Sequence, residues 1–183
     1  MLVEPREFQP FCGTGEDRYI GGVAGTRGIQ LTMPRDKERM YAIYGEIARG
    51  KLRPLNGVIQ FIGECRRRGL KLAVASSADR VKVSINLTEI GVPSETFDAV
   101  ISGSDVTHKK PHPEVFLTAA GRLGLEPTAC VVVEDAPSGV KAAKAAGAGC
   151  LGLTTSFSEA ELREAGADWI APDLAHLPAG FLW

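Results

Sequence analysis

The 183-residue chain is 44% hydrophobic and carries a formal net charge of −1, with 21 Lys plus Arg against 22 Asp plus Glu. Such a chain is long enough for one globular core with a small appended subdomain. Its near-neutral charge gives no general attraction for nucleic acid or anionic membranes, so we expect neither as a partner and expect any bound anion to be held locally.

Residues 1–53 predict a partial helical cap subdomain. They contain one clear helical pattern, at about 34–49, which follows the Gly-rich stretch FCGTGEDRYIGGVAGTRG. That stretch shows no strand pattern. The segment RPLNG at 53–57 leads into a second unit of different character.

Residues 54–183 predict a Rossmann-like core, because short apolar runs alternate with helical patterns in the manner of βαβ units. The predicted strands are 70–75, 98–102, 130–134, 149–153 and 168–170. The predicted helices are 57–68, 79–90, 113–123, 137–146 and 158–165. We therefore expect an α/β fold in three layers around a parallel sheet.

The first predicted strand ends in Ser76 and Ser77, ahead of a helix that begins near Asp79. Ligands bind beyond the carboxyl ends of the strands in an open parallel sheet. A hydroxyl and free backbone N–H groups at such an end can bind a phosphate oxygen. The alternative is that Ser77 or Asp79 only caps the helix.

The second predicted strand is followed by ISGSDVTHKKPHPEVF, in which two prolines fix the backbone beside Lys110. An ammonium about 4 Å from a phosphate oxygen gains a gross ~4 kcal/mol at an effective dielectric near 20. Lysine pairs are more often solvated loop charges. We adopt that interpretation for Lys109 and leave both possibilities open for Lys110.

The third predicted strand runs into two adjacent acids, Glu134 and Asp135, in VVVEDAPSGV. Two neighbouring carboxylates stay ionised together only with solvent, a cation or hydrogen-bond donors nearby. Carboxylate oxygens of this kind suit Mg²⁺. The alternative, that one acid caps the helix beginning at Pro137, explains a single carboxylate better than two.

The order of these motifs resembles the haloacid dehalogenase superfamily, and within it the β-phosphoglucomutase-like branch. The resemblance covers roughly residues 54–170 and includes PLNGVIQFI, AVASSADR, KPHPEVF and VVVEDAPSGVKAAKAAG. With SSADR, the stretch FCGTGEDRYIGGV also looks like the dehalogenase-type domain of the chloroplast suppressor-of-quenching proteins. A phosphoacceptor receiver domain uses similar groups, but its acid pair precedes its lysine, whereas Lys110 here precedes Glu134.

The resemblance implies phosphoryl transfer from a small phosphorylated metabolite through an aspartyl-phosphate, with Mg²⁺ as cofactor. It implies that Lys110 and Ser76 are catalytic and that phosphate contacts Ser76, Ser77 and Lys110. It also implies that Glu134 and Asp135 hold Mg²⁺ and that Asp105 supports the lysine loop. The cap residues expected near substrate are Gly15, Glu16 and Arg18.

The nucleophile of the resembled family lies in an Asp-x-Asp pair on the first core strand, and no Asp-x-Asp occurs in these 183 residues. The expected fold therefore lacks its first core strand. Three explanations are open: a truncated chain, completion by another polypeptide, or a non-catalytic domain that binds a phosphorylated ligand or a protein. We place truncation first, because Met1 enters the cap while the later motifs are intact. We expect this chain alone to be inactive and marginally stable, with a partner chain or N-terminal fragment completing the sheet.

The four cysteines show no CxxC spacing, which favours reduced thiols over disulfides or zinc. We therefore expect a reducing compartment, the cytoplasm first. The chloroplast is the alternative if the suppressor-of-quenching resemblance holds. No apolar run approaches the roughly 20 residues of a membrane-spanning helix.

Overall fold

A computed structural model describes residues 3–181, and these residues form the expected α/β fold. The described strands are β1 Ala73–Ala75, β2 Ala99–Ile101, β3 Val131–Glu134, β4 Gly149–Leu153 and β5 Trp169–Ala171. The described α-helices are α1 Glu16–Thr26, α2 Arg35–Ala48, α3 Val58–Arg67, α4 Arg80–Glu89, α5 Glu114–Leu123, α6 Pro137–Ala145 and α7 Glu159–Glu164. None of the helices in residues 3–181 is long and apolar enough to cross a membrane.

The strands form two hydrogen-bonded groups. β1 pairs in parallel with β2, and β4 pairs in parallel with β3 on one side and β5 on the other. Among the described strands, no pairing joins β1 to β3. The space between them, lined by both strands, is called the central groove below.

Side chains of the larger group alternate between two apolar layers, as strand geometry requires. Val132, Cys150 and Ile170 face one layer, which contains α5, α6 and α7 residues. Their neighbours along the strands face a second layer, which contains Phe61 of α3 and Phe181. Both faces of the sheet are thus covered, and this explains why its strands are continuous apolar runs rather than alternating ones.

Helix α5 shows how the sequence pattern produces this packing. Its buried residues recur at spacings of one, three and four, the face of an amphipathic helix: Val115, Phe116, Ala119, Ala120 and Leu123. The helix ends at Gly124, whose φ of 67° is the left-handed conformation that glycine adopts without strain. Each fully buried large side chain contributes roughly 1.5 to 3 kcal/mol to folding.

The first strand is shorter than predicted, beginning at Ala73 rather than at residue 70. The Leu72 N–H donates to the Asp98 carboxylate (2.8 Å) instead of to a neighbouring strand. The Asp98 side chain thus takes the place of a main-chain acceptor at the start of β1. The pattern of apolar residues in the sequence does not predict such a contact.

Helix α1 lies in the Gly-rich stretch, for which the sequence predicted no strand and no helix bounds. Glycines at three positions lower the helix propensity of the segment. Gly22 is required by packing, because a Cβ there would lie 2.4 Å from Cε1 of the Phe11 ring. Helix α2 follows close to its predicted range, and its Tyr44 hydroxyl bonds the Asn86 side chain of α4 (2.7 Å). The division at residue 53 stays a prediction.

Candidate active site

Lys110 links the ends of two strands that belong to different hydrogen-bonded groups. Its side chain is only 7% exposed, and its Nζ forms an ion pair with the Glu134 carboxylate at the end of β3. The same ammonium donates to the Ala75 carbonyl oxygen at the end of β1 (3.1 Å) and lies 4.6 Å from the Phe116 ring centroid. The structure therefore places one cation in contact with the last carbonyl group of β1 and the last side chain of β3.

Ser76 and Ser77 occupy different environments. Ser77 is buried, and its Oγ accepts a hydrogen bond from the Lys110 backbone N–H (3.2 Å), so it positions the lysine loop. Ser76 is half-buried, and its Oγ accepts from the Ala78 N–H (3.1 Å) in the turn before α4. Contact of either hydroxyl with phosphate stays a prediction.

Lys109 is not a solvated loop charge, so that interpretation was wrong. Its Nζ donates to the carbonyl oxygens of Gly103 and Val106, the latter at 2.9 Å. Both carbonyls belong to the loop that leaves β2, and the stem of Lys109 runs along this loop. The two adjacent lysines therefore differ in role: Lys109 ties the loop together, and Lys110 reaches the strand ends.

Asp105 holds the end of β2 in place. Its carboxylate accepts from the backbone N–H of Ser102 (2.8 Å) and from the Ser102 hydroxyl (2.6 Å), and it forms an ion pair with Arg80 at the start of α4. Burial acts to raise the pKa of Asp105, but these hydrogen bonds and the Arg80 charge outweigh it and hold the pKa below its usual value. Asp105 thus has contacts suited to a supporting role.

Glu114 anchors the other side of the lysine loop. Its carboxylate accepts from the backbone N–H groups of Thr107 and His108, each at 2.8 Å. These hydrogen bonds, with one to the His108 ring, lower the pKa of Glu114 to about 2. The acid that follows the second proline in the motif therefore fixes the loop that carries Lys110.

Glu134 packs against the first turn of α6. A Cβ on Gly139 would lie 2.1 Å from the Glu134 carboxyl carbon, so only glycine leaves room for this carboxylate. The amino end of a helix favours a negative charge. The neighbouring Asp135 accepts a hydrogen bond from the Ser156 hydroxyl (2.6 Å), and among the described residues no hydrogen bond reaches its Oδ1.

Ser156 was missed at the sequence level. It follows β4 in the run TTS, at the same carboxyl edge as the other site residues. The rule that polar residues after a strand mark the site was applied to three strands, and the fourth also obeys it.

Two glycines of the Gly-rich loop lie against residues of the site. Gly15, with φ at 93°, lies so close that a Cβ would be 3.1 Å from Cγ of Lys109 and 3.3 Å from the Ser77 carbonyl oxygen. On the other side, a Cβ on Gly13 would lie 2.7 Å from the Ser138 hydroxyl oxygen of α6. The Gly-rich loop therefore spans from the lysine loop to the first turn of α6.

Glu16 ties the cap to the core. It is 5% exposed, and its carboxylate accepts from the Asp79 backbone N–H (3.0 Å) and from Lys82 Nζ (3.1 Å). Lys37 of α2 adds a second tie, with Nζ 2.9 Å from the Asp79 carboxylate. Both Glu16 oxygens are thus engaged by α4 and its first turn. Arg18 is exposed, and no ion pair within residues 3–181 involves it, so contact of these two residues with substrate stays a prediction.

Comparison with known proteins agrees with this geometry. The haloacid dehalogenase-like hydrolase family matches residues 3–153. The chain is 41% identical over 177 residues to SUPPRESSOR OF QUENCHING 1, chloroplastic, of Arabidopsis thaliana, covering 93% of this chain and 16% of that protein. It is 35% identical over 123 residues to validoxylamine A 7'-phosphate phosphatase of Streptomyces hygroscopicus subsp. limoneus, covering 67% of this chain and 56% of that enzyme.

A solved structure shares the fold. CbbY from Rhodobacter sphaeroides, in complex with phosphate, superimposes with a TM-score of 0.80 at 27% identity, covering 96% of this chain and 80% of that one. The chain spans less than two thirds of the length of the curated relatives named above. The matches confirm the resemblance drawn from the motifs at residues 76, 110 and 134–135: the chain belongs to the haloacid dehalogenase-like hydrolase family.

Proposed function

We propose that this chain forms the phosphate-binding and Mg²⁺-binding part of a phosphatase site that acts on a small phosphorylated metabolite. The observation that carries the proposal is the position of Lys110, whose buried ammonium lies between the ends of β1 and β3 and contacts both. A desolvated cation at the carboxyl edge of a parallel sheet is suited to an anionic ligand.

The chain's own residues supply binding and orientation. The turn after β1 offers the Ser76 hydroxyl and the backbone N–H groups that precede α4, and Lys110 supplies the positive charge. The Gly-rich loop lies against this edge, with Gly15 close to Lys109 and the Ser77 carbonyl oxygen. Glu134 keeps the ammonium in place through the ion pair.

Glu134 and Asp135 fit Mg²⁺ by the chemistry of their donor atoms. Mg²⁺ prefers carboxylate oxygens and completes its shell with water and phosphate oxygens. Asp135 offers an oxygen that carries no hydrogen bond from residues 3–181, and Glu134 lies beside it on the same strand end. When bound, Mg²⁺ would neutralise charge on the phosphate oxygens.

The attacking carboxylate is proposed to come from a segment that is not part of this sequence, because the 183 residues contain no Asp-x-Asp pair. That carboxylate would attack phosphorus as the ester P–O bond breaks, and the substrate oxygen would take up a proton and leave as the alcohol. Water would then attack the aspartyl-phosphate, release inorganic phosphate and restore the carboxylate. The names of relatives support the substrate class: one is a validoxylamine A 7'-phosphate phosphatase, and another was solved in complex with phosphate. The chloroplast location of SUPPRESSOR OF QUENCHING 1 supports the same location for this chain.

A non-catalytic domain that binds a phosphorylated ligand or a partner protein is the second candidate, and the same missing Asp pair favours it. The two candidates agree on phosphate binding and differ on turnover. A binding measurement therefore tests what they share, and an activity measurement separates them.

The binding test is titration calorimetry with inorganic phosphate, with and without MgCl₂, on the whole chain. Hydrogen bonds to charged groups are worth about 1.5 to 3 kcal/mol, so Lys110→Met should weaken binding about 10- to 150-fold. Lys141→Ala, which removes an exposed lysine of α6, is the matched control and should bind as the parent does. Equal binding by Lys110→Met and Lys141→Ala would refute the site.

The activity test is hydrolysis of para-nitrophenyl phosphate with Mg²⁺. We expect a background rate for this chain alone, because its 183 residues contain no Asp-x-Asp pair to supply the proposed attacking carboxylate. Turnover that disappears in Asp135→Asn would show that the chain carries its own nucleophile and would contradict that part of the proposal.

A further inference from the structure

Two histidines and an acid meet on the exposed surface of the loop that carries Lys109 and Lys110. His108 precedes the two lysines, His112 follows them after one proline, and Glu114 is the first residue of α5. One ligand atom from each of His108, His112 and Glu114 lies within 4.8 Å of those of the other two. Among residues 3–181, no other group of three His, Cys, Asp or Glu side chains brings its ligand atoms this close together.

The Glu114 carboxylate oxygen Oε2 is the common neighbour of both imidazole rings. It lies 2.8 Å from His108 Nδ1 and 3.9 Å from His112 Nδ1. Two ligand atoms of a tetrahedral Zn²⁺ ion, each bonded at about 2.0 to 2.2 Å, stand about 3.4 Å apart. The two observed distances lie on either side of this value. Side-chain movements of about half an ångström would therefore produce the separations that the ion requires.

The His108 ring can exchange its present contact for a metal. A carboxylate only accepts hydrogen bonds, so Nδ1 carries the ring proton in the contact between His108 and Glu114. A metal at Nδ1 would move this proton to Nε2 of the same ring, and the imidazole would stay neutral. The side chain is 63% exposed, so it has room to adjust.

The His112 ring presents a lone pair to the same place. Its Nδ1 accepts a hydrogen bond from the Glu114 backbone N–H, so this nitrogen is unprotonated in that contact. The hydrogen bond is long, at 3.3 Å, and a metal that takes the lone pair would displace only a weak contact. The Glu114 N–H lies at the amino end of α5, where water can replace the imidazole as its acceptor. The His112 side chain is 51% exposed, and its ring centroid lies 4.5 Å from that of His108.

The backbone holds Glu114 in position for this role. Its carboxylate accepts from the N–H groups of Thr107 and His108, each at 2.8 Å. Carboxylates that bind metals are usually hydrogen-bonded in this way, which fixes their orientation before the metal arrives.

The backbone on either side of His112 is also fixed. Pro111 and Pro113 restrict φ before and after it, and the His112 N–H donates to the Lys109 carbonyl oxygen (3.0 Å). The chain therefore has little freedom to carry this ring away from Glu114, and a metal would cost little further ordering of the backbone.

The two neighbouring lysines do not occupy the cluster. Lys109 Nζ donates to two carbonyl groups of the loop after β2, and Lys110 Nζ pairs with Glu134 at the end of β3. Both ammonium groups are thus held by other partners. The Glu114 carboxylate keeps its negative charge available to a cation that the rings can also bind.

We propose that His108, His112 and Glu114 form a site for one Zn²⁺ ion, with two imidazole nitrogens and one carboxylate oxygen as ligands. Imidazole suits Zn²⁺, Cu²⁺ and Ni²⁺, whereas Mg²⁺ prefers oxygen ligands. Glu134 and Asp135 offer oxygen atoms only, so the two sites differ in the metal they select. Water would complete the tetrahedral shell at the exposed side.

A bound ion would connect the lysine loop to α5. His108 and His112 flank residues 109–111, and Glu114 begins the helix, so the ion would join both ends of this segment to the first turn of α5. Lys110 lies within the segment closed in this way.

Anchoring of the loop explains the contacts of Glu114 but not the second imidazole. His176 and Asp173 show the difference, because His176 Nδ1 lies 2.8 Å from the Asp173 carboxylate in the same kind of contact. Within residues 3–181, no second histidine joins that pair in a candidate metal cluster. His176 is therefore the matched control for a histidine that contacts a carboxylate without forming a metal site.

The first test is titration of the whole chain with ZnCl₂, followed by nitrogen NMR of the histidine rings. The chain contains three histidines, so the signals of each ring can be assigned. We expect submillimolar Zn²⁺ to shift the ring nitrogens of His108 and His112 and to leave those of His176 in place. Millimolar Mg²⁺ should shift none of the three rings, because the proposed ligands are mainly nitrogen.

The second test is calorimetry of Zn²⁺ binding to variants. Loss of a residue that only supports a metal ligand typically weakens binding about 10- to 100-fold. His108→Ala and His112→Ala each remove a ligand, so each should weaken Zn²⁺ binding at least about tenfold. His176→Ala should bind Zn²⁺ as the parent chain does. All three rings are exposed, so we expect the variants to fold, and thermal unfolding checks this.

Three outcomes would overturn the inference: rings that millimolar Zn²⁺ leaves unmoved, equal shifts of all three rings, or a Zn²⁺ affinity that either histidine variant leaves unchanged. Equal shifts would indicate general binding to exposed imidazole. Unchanged affinity would indicate binding elsewhere, for example at the free thiols of Cys12 and Cys130. The inference does not require the proposed phosphatase function, because it involves neither phosphate nor Glu134 and Asp135.

Discussion

The ion pair between Lys110 and Glu134 should make a large and coupled contribution to stability. The two side chains are 7% and 11% exposed, so removing one leaves the other charged and nearly buried. Breaking a buried pair in this way costs about 3 to 5 kcal/mol, and partial exposure of Glu134 favours the lower end. We expect Lys110→Met and Glu134→Gln each to lower the unfolding free energy by about 3 kcal/mol. At a urea slope of about 2 kcal/mol per molar, each midpoint falls by about 1.5 M.

The double variant Lys110→Met/Glu134→Gln separates the loss of the ion pair from the loss of side-chain packing. Replacing both charges leaves no uncompensated charge, so the double variant should be far less destabilised than the sum of the single ones. The exposed pair between Arg163 and Glu159 on α7, 55% and 58% exposed, is the matched control, and its coupling should stay near 0.3 to 0.5 kcal/mol. Urea unfolding of all variants at pH 7 gives both values. Additive effects at Lys110 and Glu134 would show that the two charges do not depend on each other.

Three further predictions concern neighbouring contacts. Gly139→Ala should destabilise the fold by about 1 to 3 kcal/mol in urea unfolding, because its Cβ would overlap the Glu134 carboxylate; an unchanged midpoint would argue against that packing. Glu16→Gln should lower the unfolding free energy by about 1 to 3 kcal/mol in the same assay, because glutamine keeps the shape of the side chain but loses the charge that Lys82 binds. A variant more stable than the parent would contradict this role of Glu16. Burial acts to raise the pKa of Asp168, but the hydrogen bond from Lys144 and others outweigh it and hold the pKa below the ordinary 3.8. The stabilisation is therefore present above pH 3.8 and lost as the pH falls through the folded-state pKa, so Asp168→Asn should show a shallower loss of stability in acid, and an identical acid limb would refute this.

The sequence predicted the order of strands and helices in the core because each element carries its own local signal. Short runs rich in apolar residues locate β2 to β5 within about a residue of their observed positions. The bounds of helix α1 could not be predicted because its glycines lower the local helix propensity, and Gly22 packs against the Phe11 ring, a contact that no local pattern shows. The start of β1 was misplaced because a side chain, Asp98, takes the bond of a main-chain partner.

The candidate site was predictable in its members but not in their arrangement. The strand-end rule singled out Ser76, Lys110 and Glu134, and the structure brings the last two into contact. It could not show that Ser77 braces the lysine loop or that Glu16 is bound by the core, because both depend on contacts between residues 33 and 63 positions apart. Long-range hydrogen bonds leave no periodic trace in a sequence.

The two bonds of the Lys110 ammonium have a thermodynamic consequence for the central groove. Because one cation is attached to β1 and, through Glu134, to β3, its position depends on how far apart the two strands stand. A change in the distance between the two strands would therefore move the Lys110 ammonium relative to an anionic ligand. Linkage is reciprocal, so if an anion binds one spacing of β1 and β3 more tightly, it favours that spacing by the same factor by which that spacing favours the anion. Anion binding and the spacing of the two strands would then be coupled through Lys110.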